Sequence, residues 1–147
     1  MNYQGIRAAL EKPIADAYSA LTPEIPVYFD NFGDVLADAD SEFVYINIQF
    51  GLTTETGLTS SLDNVRGIIT VRVFSEKDKG SIRNQELINT AFTTIQTFNN
   101  TEKTSTGIYI RTGDITGPSF DTDRPFFISL LETNFQATVI SWIFSKI

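Results

Sequence analysis

From Glu42 to Leu52 apolar and polar residues alternate: Val44, Ile46, Ile48, Phe50 and Leu52 stand at every second position, with Tyr45, Asn47 and Gln49 between them. Only an extended strand, whose successive side chains project to opposite sides, gathers such a pattern onto one apolar face. Any fold of this chain must therefore contain a sheet with a buried side. Gly67–Phe74 predicts a second strand, with Ile69, Val71 and Val73 on one face and Ile68, Thr70, Arg72 and Phe74 on the other, so both faces are partly apolar. Pro26–Phe29 predicts a short strand and Gly107–Ile115 another. Phe126–Ser145 alternates in two phases, first Phe135, Ala137 and Val139, then Ile140, Trp142 and Phe144. This block reads as one very long strand or as two joined near Glu132–Asn134.

Two segments carry helical periodicity instead. In Tyr3–Leu21 the residues Ile6, Leu10, Ile14, Ala17, Tyr18 and Leu21 recur three or four apart. Pro13 removes one backbone hydrogen bond there, which predicts a kink or two abutting helices, and Thr22-Pro23 closes the segment. Ser81 is placed to cap a second helix through Phe98, with a buried stripe of Leu87, Ile88, Ala91, Phe92, Ile95 and Phe98 and a stop at Asn99-Asn100. The polar stretches Asp30–Asp40, Glu76–Gly80 and Gly113–Arg124 read as loops or turns, and Thr53–Asn64 as a long loop or an extended hairpin tip. Helices at two places among strands predict an α+β fold: a largely antiparallel or mixed sheet packed on one face by two helices. At 147 residues without repeat, linker or low-complexity block, one domain spanning 1–147 is expected.

Residue types missing from the chain narrow its chemistry. It has no cysteine and no histidine, which excludes disulfides, Ser-His-Asp and Cys-His catalysis and ordinary zinc sites. No glycine-rich phosphate or dinucleotide motif occurs. An acidic cluster at Asp30, Asp34, Asp38 and Asp40 could hold a hard cation, but it lacks the EF-hand spacing and reads more simply as a solvated loop. Asp121 and Asp123, next to Arg124, read as a loop ion pair. No cofactor is expected, and an enzyme using these carboxylates with a divalent metal is the weakest of the functional classes. With a net charge of −7 and dispersed basic residues, tight nucleic-acid binding is disfavoured. The N-terminus lacks a signal-peptide pattern, and the most apolar stretch, Val139–Phe144, is far shorter than the ~20 residues a membrane helix needs. A soluble protein without a membrane partner is expected.

Aromatic residues point toward assembly. Twelve phenylalanines are many for this length, and a sheet covered by helices on one side needs only one apolar face. Either the two helices cover everything, or the second face, with Ile68, Phe74, Phe127 or Trp142, packs on a neighbouring chain. The polar segment around Thr53, Thr54, Leu58, Leu62 and Asn64 is the candidate partner-contact loop.

The order Ile6-Arg7-Ala8-Ala9-Leu10-Glu11-Lys12-Pro13-Ile14, then Val27-Tyr28-Phe29-Asp30-Asn31, the strand Val44–Gly51, and Gly67-Ile68-Ile69-Thr70-Val71-Arg72-Val73-Phe74 before a Gly80-led helix resembles bacteriophage tail terminator proteins, including the lambda-type terminators. The likeness spans most of the chain as an ordered pattern rather than a short motif. It implies a non-enzymatic ring of six subunits at the head-proximal end of the virion tail, assembled in the host cytoplasm. Such a ring caps the tail tube protein, stops its polymerisation and meets a neck or head-completion protein. It also implies a channel that DNA crosses without specific binding. Asp34, Asp38, Asp40, Asp121 and Asp123, with Asp30 and Asp114, are then candidates to line the channel and repel phosphates. A neck or head-completion connector of the same virion, and an unrelated soluble binding domain, are the alternative readings.

Overall fold

Ile6, Leu10, Ile14 and Tyr18, each about one helical turn from the next, are all fully buried. They form the inner stripe of helix α1, Tyr3–Ser19, which runs as a single helix through Pro13 rather than as two abutting pieces. In this computed structural model the described residues are 3–21, 24–29, 42–55, 62–76, 81–100, 107–123 and 126–140. Strand β1 is Val27–Phe29, β2 is Phe43–Glu55 and β3 is Leu62–Glu76. Helix α2, Ser81–Asn100, follows, and then β4, Ile108–Asp123, and β5, Phe126–Ile140.

These strands make one mixed sheet in the order β1-β2-β3-β5-β4, parallel between β1 and β2 and antiparallel elsewhere. The alternation of β2 holds through Ile48, with Val44, Ile46 and Ile48 buried and Gln49 exposed, but Leu52, expected on the same buried face, is 73% exposed because the ladder shifts register between Phe50 and Thr53. Ile69, Val71 and Val73 of β3 and Leu131, Phe135, Ala137 and Val139 of β5 share that face. Against it lie the stripes of both helices, including Leu87, Ile88, Ala91, Ile95 and Phe98 of α2. The result is a single α+β domain, and each large aliphatic side chain closed into its core contributes about 1.5–3 kcal/mol. No helix among the described residues is long and apolar enough to cross a membrane.

One further expectation needs correction, and two open alternatives resolve. Gly113–Asp123 is strand, not loop: β4 continues through it because two irregularities, at Thr112/Ile115 and Thr116/Ser119, absorb the residues that do not fit the ladder. β4 lies at the sheet edge, where Pro118 breaks no central ladder. Gly117 has φ +107°, and a Cβ added there would come within 2.7 Å of the Leu130 carbonyl oxygen, a place only glycine fills without strain. The final block is one strand to Ile140, without a join at Glu132–Asn134. Finally, the ends of Thr53–Asn64 are strand, with Thr53 opposite Val65 and Thr54 opposite Asn64, while Leu58 lies outside the described residues.

Tyr18 fastens the two helices together. Its buried hydroxyl donates to the Leu87 carbonyl at 2.6 Å. Burial pushes the phenol well above its ordinary value, against a smaller lowering from the backbone near Ala91, so the folded state holds it neutral. A group raised on folding contributes stability that is complete below its unfolded value, about 10 for tyrosine, and is lost as pH climbs from there toward the folded value. Tyr18→Phe is expected to lose about 1 kcal/mol at neutral pH. It should also show a shallower loss of stability in the alkaline range, as read by urea melts over a pH series. Parallel pH profiles for the two proteins would remove Tyr18 from the alkaline transition.

Candidate functional site

Opposite the helices, the sheet presents a second face built in cross-strand rows. At one end Phe43 stacks on Phe74, with centroids 4.4 Å apart and planes 7° off parallel, and Tyr28 meets Phe43 edge-on at 5.8 Å. Tyr45 and Ile128 complete this small cluster. Phe74, expected as a subunit contact, is thus only 7% exposed and already packed within its own chain. Ile68, half-buried, lies nearer the other end of the face, where the rows turn polar.

There Arg66 of β3 pairs with Gln136 of β5, which pairs with Arg111 of β4, so one row carries two cations around an amide. Asn64 accepts from Thr138 Oγ1 at 2.6 Å one row away. Asn134 stands opposite Ile68 on the other side of that row. A shallow groove of about 570 Å³ runs over this end, bordered by Arg66, Ile68, Arg111 and Asn134. Arg7 is paired with Glu11 at 3.2 Å, and Arg83 with Glu42 at 3.0 Å. Arg66, Arg72 and Arg111, by contrast, have no ion pair among the described residues. Glu132, opposite Thr70 and Thr116, shares this helix-free face with the three arginines, so the face is of mixed charge in a chain of net charge −7. Arg111 also donates to the Asn99 carbonyl at 3.4 Å, at the last turn of α2, where a positive charge suits the helix dipole.

The helix side has its own opening. Phe127, placed by sequence on the second face, pairs with the buried Ser75 and so belongs to the helix-bearing face. The reason is register: in β5 the odd-numbered residues face the helices. Phe127 stacks on Phe120, at 5.7 Å and 17°, and Phe120 remains 44% exposed. Beside it a groove of about 450 Å³ opens between α2 and β4, lined by Ile88, Phe92, Pro118, Phe120 and Leu131, with Gln85 and Asn89 at its edge. The sequence reading missed this groove because turn composition hid the strand. The one available signal was a phenylalanine two residues after Gly117-Pro118, an apolar ring in an otherwise polar stretch.

The partner-loop residues are partly accounted for. Thr53 shares a hydrogen bond with the Tyr3 hydroxyl at 2.6 Å, Thr54 is exposed, Asn64 is held by Thr138, and Leu62 is in register with Ile140. Among the acidic candidates, Asp121 and Asp123 sit on β4 opposite Ile128 and Phe126, and Asp114 is exposed in the first irregularity. Asp30, Asp34, Asp38, Asp40, Arg124 and Trp142 lie outside the described residues. Among the described residues no three acidic side chains converge as metal ligands would.

No protein-family model matches the chain, and no curated protein matches it. Solved structures do match, 34 chains among them. One, a protein designated only by a sequence identifier, superposes with a TM-score of 0.69 at 20% identity, over 93% of this chain and 96% of that one. At that identity the likeness is one of fold.

Proposed function

We propose that this chain is a structural protein of a long-tailed bacteriophage virion, forming a ring that caps the tail tube, ends its polymerisation and offers a surface for head or neck attachment. The observation that carries the reading is the pair of unlike open surfaces on opposite sides of one sheet: an apolar groove beside α2 and an arginine-bearing face without helices. A subunit with two different contact surfaces associates head to tail, and such contacts close into rings when the rotation per subunit permits. The ordered sequence resemblance to tail terminators supports the same role, which calls for no cofactor.

Light scattering on the protein alone and mixed with its tail tube protein, followed by electron microscopy, is expected to show a ring of about six copies, closing as head-to-tail contacts do. A protein that stays monomeric at high concentration, both alone and with tube protein, would overturn the reading.

A further inference from the structure

The groove between α2 and β4 has an apolar floor and walls, Leu131, Ile88 and Phe92, and an apolar rim, Pro118 and Phe120. An aromatic ring left 44% exposed at the mouth of such a groove gains by being covered. The chain contains a matching segment, Ser141–Ile147, with Trp142, Ile143 and Phe144 in succession.

Geometry decides whose segment can reach. β5 pairs with β3 without interruption from Phe126 to Ile140. Leu131 stands nine residues before Ile140, which at ~3.3 Å per residue places it roughly 30 Å back along the strand. Phe144 is four residues beyond Ile140, and four residues span at most about 14 Å. Within one chain Trp142 and Phe144 therefore fall short of the groove. In a neighbouring copy they carry no such restriction.

We infer that residues 141–147 of one copy dock in the α2–β4 groove of the next, with Trp142 seated against Phe120. Groove and segment are different surfaces, so each copy gives one and receives one, and the contact propagates head to tail. This inference rests on the ring reading and names the contact that joins its subunits. Trp142 and Phe120 are the central aromatic anchors, the kind of residue that dominates an interface.

Trp142 is the only tryptophan, so intrinsic fluorescence reports its surroundings directly. In a dilution series followed by sedimentation velocity and emission, the wild-type protein is expected to shift to shorter wavelength as it assembles. Phe120→Ser, which alters an exposed ring, is expected to keep its circular dichroism, weaken assembly about tenfold or more, and hold long-wavelength emission throughout. Trp142→Ala should weaken assembly to the same degree. A synthetic peptide of residues 141–147 should compete with wild-type assembly. The inference is overturned if Phe120→Ser assembles as the wild type does, if wild-type emission does not move on assembly, or if it is already short-wavelength in the dilute monomer. Each of those results leaves the ring itself standing. A wild-type chain that never assembles, alone or with tube protein, removes the ring reading and the docking with it.

Discussion

Gly67→Ala is expected to destabilise the protein by about 2–3 kcal/mol, as overpacking a filled core does. For a domain of this length that lowers the melting temperature by roughly 4–12 °C. Gly67 lies between Phe50 of β2 and Phe135 of β5 in the ladder, and the two rings meet edge to face across it at 6.0 Å. A Cβ added there would come within 2.6 Å of Phe135 Cζ and would also press on the Gln49 carbonyl oxygen. The ring can yield by a rotamer change, but the carbonyl belongs to the sheet and cannot. Calorimetry on Gly67→Ala, Phe135→Leu and the double variant separates the two. The double variant should be less destabilised than the sum of the singles by about 1 kcal/mol, since neighbouring sites couple. It should still fall short of Phe135→Leu alone, because the clash with Gln49 remains. A melting temperature unchanged in Gly67→Ala would show that the sheet opens at this point without cost.

A loss of similar size is expected from Asn84→Ala, about 3 kcal/mol, from stranding the buried groups it serves. Asn84 is fully buried in the first turns of α2. Its Nδ2 donates to the Phe127 carbonyl at 2.9 Å, to Ser75 Oγ at 2.8 Å and to the Val73 carbonyl at 3.3 Å, tying the helix to β3 and β5 at once. Its Oδ1 has no hydrogen-bond partner among the described residues. Two carbonyl oxygens and the Ser75 hydroxyl face this amide, so a carboxylate in its place would meet two acceptors and a single hydroxyl donor. Asn84→Asp should accordingly be less stable than Asn84→Ala at neutral pH in urea melts. The reverse order would mean that water reaches the site and solvates the charge.

Much of the fold was legible in local pattern. The period-two run at Val44–Phe50 became the inner face of β2, the stripes at Ile6–Tyr18 and Leu87–Phe98 became the two helices, and Asn99-Asn100 marked the end of α2. These features are local because burying one side of a strand or helix requires apolar residues at that element's own period. The absence of histidine and cysteine likewise excludes whole classes of chemistry by composition alone.

What lies open on the surface was decided only by tertiary structure, because that depends on partners distant in sequence. Arg66 and Arg111 are 45 positions apart and become neighbours only through the register of Gln136 between them. Phe74 looked available until Phe43, from another strand, stacked on it. Phe127 changed faces because the register of β5 placed it opposite Ser75. The polar, glycine- and proline-containing run at Gly113–Asp123 looked like a loop, yet it pairs as an edge strand because β5 supplies a long apolar neighbour and two irregularities absorb the misfits. That last rearrangement carries Pro118 and Phe120 to the side of α2, so the groove proposed to join one subunit to the next exists only in the folded chain.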